Sequence, residues 1–259
     1  MDKIKIFSKS QFSLLWWSGT ISSFGDWATL FGSVALASYL GTEAGNSELT
    51  AIVPLIARIV PALLSSFAGL IADRYDKKII MIFCDVIRMI FVMFLFFADN
   101  LYSIFLINFL SEIFSLIRQP SREAVVPEIV NKENLVKANS LFAIGTYATL
   151  PIASLALGVV SDWNSLELTN ETGNGWSGSI IFLFDTFTFM ASAILLYFLK
   201  NQNKNTLNKK PDVSFKNFKD GLDYFFKTKD IRNISFSISF CLIGAGTLFI
   251  LGHTFLTVD

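Results

Sequence analysis

Seven long apolar stretches constrain the fold of this chain more than any other feature. Each is close to the about 20 apolar residues that a helix needs to cross a bilayer. They cover residues 12–40, 49–72, 79–98, 101–117, 135–160, 179–199 and 234–258. Lipid offers the backbone no hydrogen-bond partners, so these stretches are predicted to be transmembrane helices. Only 16% of the residues are charged, well below the about 25% of soluble domains.

The basic residues predict how these spans are oriented. Of the 21 lysines and arginines, all but Arg58 and Arg88 lie before the first span or beside the joints after spans 2, 4 and 6. The joints on the other side carry acidic residues and no basic ones. Since cytoplasmic loops are enriched in lysine and arginine, the N-terminus is predicted to be cytoplasmic, in a multi-pass protein of the cell (inner) membrane.

Three segments are predicted along the chain. Residues 1–199 form a six-helix transmembrane bundle, residues 200–230 a basic cytoplasmic loop, and residues 231–259 a seventh transmembrane helix. Apolar side chains near helical spacing in the loop, among them Phe215, Phe218 and Leu222, predict an amphipathic helix on the inner membrane face. A solvated linker is the alternative for that segment.

Short internal matches indicate a repeat. Span 2 ends in "GLIAD" at residues 69–73, and span 5 ends in "GVVSD" at residues 158–162. Similar strings also end at Asp85 in span 3, "FCD", and at Asp185 in span 6, "LFD". The paired spans cross in opposite senses, so we predict an inverted three-plus-three repeat, an arrangement typical of secondary transporters.

The joint between spans 2 and 3 carries the most specific motif. "AGLIADRYDKK" at residues 68–78 resembles the G-x-L-A-D-R-x-G-R-K motif of the major facilitator superfamily, with Asp76 in place of its second glycine. "CDVIRM", "RQPSREAVVPEIV", "KANSL" and "FDTFTFMASA" resemble the drug- and macrolide-efflux branch. The resemblance covers essentially residues 1–259.

This resemblance implies the N-terminal half of a major facilitator fold plus the seventh span. A complete member has twelve spans, so a truncated chain or a fragment is expected. In the family this turn is thought to gate transport. The residues that this implicates here are Gly69, Asp73, Arg74, Lys77 and Lys78. Gly69 permits close helix approach, and the basic residues suit an anionic inner leaflet; the alternative is that these charges only set topology.

Charged residues inside the spans are the candidate functional groups, because such residues usually face a cavity or one another. Asp85 and Arg88, spaced i and i+3 in span 3, are predicted to form a structural ion pair. Asp26 and Glu112 have no adjacent partner in the sequence, and an unpaired buried carboxylate takes up a proton readily. Together with Arg58 they are predicted to form a proton or substrate cavity, unless Arg58 neutralises one of them as a fixed pair.

The leading hypothesis is a secondary active transporter that exports small amphipathic molecules by proton coupling. The alternatives are a non-transporting remnant, a half-transporter that needs a complementary C-terminal half or a homo-oligomer, and a seven-span receptor. No metal-ligand cluster, nucleophile elbow or histidine base is evident in the sequence, so no enzyme activity, cofactor or metal is expected. The expected partners are a small-molecule substrate, protons and the lipid bilayer, and not nucleic acid.

Overall fold

The computed structural model describes residues 10–43, 50–62, 75–161 and 179–200, with scattered residues between 226 and 240. The chain divides into two compact units, Met1–Pro211 and Asp212–Asp259. In the second unit, Arg232 Nη1 donates a hydrogen bond to the Phe226 carbonyl at 3.0 Å. The first unit holds the helices that follow.

Every regular element in these described ranges is helical, which confirms the predicted all-α class. We number the α-helices in chain order. They are α1 Ser10–Glu43, α2 Ile52–Ala62, α3 Lys77–Leu95, α4 Leu101–Ile129, α5 Leu135–Tyr147, α6 Thr149–Ser161 and α7 Ile180–Tyr197. A short 3₁₀ turn, Lys132–Asn134, precedes α5.

Polar caps determine where α3 and α4 begin. The Asp76 side chain accepts hydrogen bonds from the Lys78 and Ile79 amides at 2.9 and 3.2 Å. The Asn100 side chain accepts one from the Ser103 amide at 2.8 Å. Each cap satisfies amides that have no partner within the helix. The aspartate that departs from the family motif is therefore the residue that starts α3.

Five helices form a closed ring. α1 contacts α7, α7 contacts α3, α3 contacts α4, α4 contacts α2, and α2 returns to α1. α5 and α6 pack against α1. A buried apolar cluster closes the end of the bundle that holds the start of α1 and the end of α7; it includes Phe12, Leu15, Met81, Val125, Phe142 and Leu196. Four charged side chains of the ring, Asp85, Arg88, Arg118 and Asp185, are buried within it.

The contact between α1 and α7 depends on two glycines. A Cβ atom added at Gly25 would collide with the side chains of Asp185 and Thr188. One added at Gly32 would lie 2.7 Å from Ile181 Cγ2. Small residues at these positions let the two backbones approach closely, which is how helices commonly associate in a bilayer.

Many large apolar side chains are exposed and several charged side chains are buried, the reverse of the usual pattern in a soluble protein. Along α3, Ile79, Phe83, Ile90 and Phe94 are exposed, whereas Asp85 and Arg88 are buried. An extended apolar surface around buried charges fits lipid outside and a polar interior. Within the described ranges, three stretches are apolar and long enough to cross a membrane: Leu101–Ile129, Lys132–Val159 and Ile180–Tyr197. These features are those of a protein inserted in a membrane.

Two predicted spans have different limits in the structure. The predicted fourth span, 101–117, is too short, because α4 continues to Ile129. The predicted fifth span, 135–160, is divided by a turn at Ala148 between α5 and α6. Pro151 has no N–H to donate to the Tyr147 carbonyl, so the helix ladder is interrupted there. The amphipathic loop helix and most of the seventh span lie outside the described residues.

Candidate substrate cavity

A cavity of about 200 Å³ lies among five helices of the bundle. Five helices supply its walls: α1, α2, α3, α4 and α5. Its lining is almost entirely polar or charged, and consists of Ser23, Asp26, Trp27, Arg58, Arg88, Glu112, Ser115, Arg118, Gln119, Arg122 and Thr146. We call this space the central cavity. It brings together all three residues predicted to form the proton or substrate cavity, Asp26, Arg58 and Glu112; their role there stays a prediction.

Asp26 has a cationic partner, contrary to the expectation from the sequence. Its carboxylate forms an ion pair with Arg88 Nη2 of α3. The Arg88 side chain is only 3% exposed, and its guanidinium also lies 4.3 Å from the centre of the Phe189 ring. Arg58 does not neutralise the Asp26 carboxylate; its Nη1 is 3.4 Å from the Asp26 backbone carbonyl.

The predicted ion pair between Asp85 and Arg88 is wrong. Asp85 Oδ1 instead lies 2.6 Å from Arg118 Nε of α4. Ser192 of α7 donates to Asp85 Oδ2 at 2.6 Å and accepts from Arg118 Nη2 at 3.1 Å. The two residues share a face of α3, but each is nearer to an opposite charge on another helix. The result is a buried network that joins α3, α4 and α7.

Glu112 differs from Asp26 and Asp85, each of which has an arginine partner. It lines the central cavity, and among the described residues no lysine or arginine lies within ion-pair distance of its carboxylate. Arg58 and Arg88 act on it only electrostatically from the other walls, so Glu112 is the carboxylate of this cavity that is not held in an ion pair.

Arg118, Gln119 and Arg122 were missed as cavity residues from the sequence. The two arginines were expected in a cytoplasmic joint, but α4 continues past them and buries both. A signal was present: Glu112, Ser115, Gln119 and Arg122 follow one another at intervals of three or four residues, the spacing of one helix face. That polar face continues through the predicted end of the fourth span.

Asp185 is fully buried between α1 and α7. It accepts hydrogen bonds from Thr29 and from Thr188 Oγ1, the latter at 2.6 Å. Hydroxyl donors thus satisfy a carboxylate that would otherwise be costly to bury. The Asp185 side chain lies directly against Gly25, where α1 and α7 approach each other closely. This position indicates a structural role at this helix pair.

Comparison with known sequences identifies the family of this bundle. The sequence model of the Major Facilitator Superfamily matches residues 15–258. The chain belongs to the Major Facilitator Superfamily. This agrees with the resemblance found at residues 68–78, and with the prediction that the chain is a transport protein of this superfamily and not an enzyme.

Part of the sequence is also similar to individual proteins. The chain is similar to the "Lysophospholipid transporter LplT" of Pectobacterium carotovorum, with 30% identity over 143 residues, 55% of this chain and 34% of the relative. It is 27% identical over 161 residues to the protein of the same name from Escherichia coli strain SE11, 62% of this chain and 39% of the relative. The chain thus spans less than half the length of these relatives, and they do not carry the drug- or macrolide-efflux names expected from the motif strings.

The superfamily motif is only partly within the described residues. Gly69, Asp73 and Arg74 lie outside them. Lys77 forms an ion pair with Glu128 near the end of α4. Lys78 Nζ donates to the Tyr197 carbonyl at 2.7 Å and lies 5.5 Å from the centre of the Tyr197 ring. These contacts attach the start of α3 to the ends of α4 and α7.

Proposed function

We propose that this chain forms part of a secondary active transporter that exports small amphipathic molecules by proton coupling. The observation that carries the proposal is the central cavity, where charged side chains collect inside a bundle with an apolar exterior. Charges are expensive to place at this depth in a bilayer, and in membrane proteins they commonly mark substrate or ion pathways. The N-terminus would lie in the cytoplasm.

Glu112 is the proposed proton or cation site. Its carboxylate faces the central cavity without an ion-pair partner in the described part of the chain. Asp26 would contribute only when its ion pair with Arg88 opens. Competition between a proton and a substrate for one cavity is sufficient to couple their movements.

The names of the relatives favour a lysophospholipid-like substrate over a drug. A lysophospholipid combines one acyl chain with a phosphate-containing head group. The central cavity is lined by four arginines and two carboxylates, Asp26 and Glu112. Asp85, behind the lining, neutralises Arg118, which leaves one arginine more than the carboxylates, and this excess of positive charge favours an anionic group over a cationic drug.

The motif at the start of α3 is proposed to act as a gate. Lys77 and Lys78 hold this turn against the ends of α4 and α7 through the contacts with Glu128 and Tyr197. Release of these two contacts would free the turn between spans 2 and 3. Both contacts are accessible to solvent, and such exposed bonds are weak enough to exchange.

A partner half is also proposed. A complementary half or a second copy of this chain would supply the other wall of the pathway. The competing proposal is a remnant that binds but does not transport.

The test is transport in proteoliposomes that hold the purified 259-residue chain at several protein densities. We expect a fluorescent lysophospholipid to cross the bilayer faster than in protein-free vesicles when a pH gradient is imposed. Ethidium, a cationic efflux substrate, should not be transported. Movement no faster than in protein-free vesicles at every density would support the remnant and contradict the transporter proposal.

A further inference from the structure

A second cavity, of about 410 Å³, lies between α4 and α5. We call it the α4–α5 cavity. Gln119, Arg122 and Thr146 line both this cavity and the central cavity, so the two spaces meet at these side chains. The volume of the α4–α5 cavity lies within the range of about 300–1,000 Å³ that small-molecule sites occupy, and that of the central cavity lies below it.

The α4–α5 cavity is less polar than the central cavity. Away from Arg122, its walls include Val126, Pro127, Leu135 and Phe142. Besides Arg122, this cavity has one charged side chain, Glu123, and the polar Asn139, so most charged groups lie on the central-cavity side of Arg122 and most apolar ones on the other. A ligand that occupied both spaces would have to be amphipathic, with its polar group near Arg122.

Of the three buried arginines in the described residues, Arg122 is the one without an ion pair, although Glu123 acts on it electrostatically from the same cavity. Its side chain is 8% exposed. Its recorded contact is with an aromatic ring: the guanidinium lies 5.1 Å from the centre of the Phe142 ring. Arg88 and Arg118, buried on the neighbouring walls, each have an aspartate, whereas Arg122 has none among the described residues.

An arginine in this setting is suited to one class of ligand. Burial of an unpaired cation is unfavourable, and an anion that enters beside it relieves that cost. The planar guanidinium presents paired N–H donors that match the geometry of phosphate and carboxylate oxygens. Stacking on Phe142 holds its plane while the donors remain available to the cavity.

We infer that Arg122 binds the phosphate-class oxyanion of an amphipathic ligand whose apolar tail lies in the α4–α5 cavity. This inference rests on the proposed function and names the substrate group that one residue recognises. Thr146 is placed to supply a hydroxyl at the same junction. The Gln119 amide is directed instead to Glu123, to which it donates at 2.8 Å. The oxyanion could belong to a lipid head group or to a soluble organophosphate.

The experiment measures binding to the purified chain by calorimetry with three probes. These are lysophosphatidylglycerol, a monoacylglycerol of the same chain length, and glycerol phosphate. The monoacylglycerol lacks the phosphate, and glycerol phosphate lacks the tail. We expect lysophosphatidylglycerol to bind tightest, and Arg122→Gln to weaken its binding about 10- to 100-fold, as for loss of a charged hydrogen-bond partner.

Two further variants make the result specific. Arg122→Lys keeps the charge but not the paired donors, so we expect an intermediate affinity. Lys132→Gln removes an exposed positive charge near the start of α5, outside both cavities, and should bind as the wild type does. A melting temperature close to that of the wild type shows that a variant is folded.

Several results would overturn the inference. These are unchanged lysophosphatidylglycerol binding in Arg122→Gln, equal binding of the monoacylglycerol, or no binding of any probe to the wild type. Equal affinity for glycerol phosphate would assign the site to a soluble organophosphate and remove the tail from the α4–α5 cavity. Transport by wild-type chain with binding that is independent of Arg122 would contradict this inference alone. Arg122-dependent binding without transport would contradict the proposed function alone.

Discussion

Replacing Asp85 with alanine is expected to lower the free energy of unfolding by about 3–5 kcal/mol, the effect of removing one partner from a buried ion pair. The Arg118 guanidinium would remain buried without its carboxylate, since Arg118 Nε lies 2.6 Å from Asp85 Oδ1. For a domain of this size the loss corresponds to a decrease of at least about 6 °C in the melting temperature. Thermal unfolding of the detergent-solubilised chain measures it.

The size of this effect follows from the position of the pair. Asp85 is fully buried, and Arg118 is nearly so. Ser192 completes the network with hydrogen bonds of 2.6 and 3.1 Å. One substitution therefore loosens α3, α4 and α7 together, three helices that are adjacent in the ring.

A double substitution separates the effect of losing the ion pair from the effect of leaving one buried charge unpaired. Removing both charges, with Asp85→Leu and Arg118→Leu, should restore much of the stability, because no unpaired charge is left in the interior. Lys77→Met is the control, since its ion pair with Glu128 is partly exposed, and it should cost about 1 kcal/mol or less. If Asp85→Ala melts at the same temperature as the wild type, Asp85 and Arg118 are not coupled in the folded protein.

Glu112→Gln is expected to abolish proton-linked transport while the chain still folds and binds. Glutamine keeps the size and hydrogen-bonding capacity of the side chain but cannot exchange a proton. Glu112 has no ion-pair partner among the described residues, so the substitution breaks no direct ion pair, although it removes a negative charge that acts on Arg58 and Arg88 across the cavity. Lysophospholipid movement and vesicle pH, followed together with and without a pH gradient, measure the effect.

The matched control for this substitution is Glu133→Gln. Glu133 is exposed in the turn before α5 and lies outside both cavities, so transport should be unchanged. Gradient-driven transport by Glu112→Gln at the wild-type rate would remove Glu112 from the coupling mechanism. Asp26, released from Arg88, would then be the next carboxylate to examine.

Where the structure describes the predicted spans, the apolar runs predicted helices correctly, because the bilayer permits few alternatives for the backbone, but they did not predict the break at Ala148. They did not predict where α4 ends. Arg118 and Arg122 resemble joint residues when charge alone is considered, yet neighbouring helices bury both. The periodic polar face that begins at Glu112 predicts better that α4 continues past residue 117.

The sequence predicted which charges share the cavity better than it predicted their pairing. Asp26, Arg58 and Glu112 do meet in the central cavity. Asp85 and Arg88 are neighbours in sequence, but their partners, Arg118 and Asp26, lie on other helices. Spacing along one helix shows which residues share a face, and the packing of the ring decides which opposite charge is nearest.

Protection of an engineered cysteine by substrate tests the central claim, that the central cavity is the substrate site. Ser115→Cys lies in that cavity, and Ser140→Cys lies on the exposed side of α5; both are made with Cys84 and Cys241 replaced by serine. We predict that lysophosphatidylglycerol slows maleimide labelling at position 115 and leaves position 140 unchanged. Labelling at position 115 that proceeds at the same rate with and without the lipid would contradict the account.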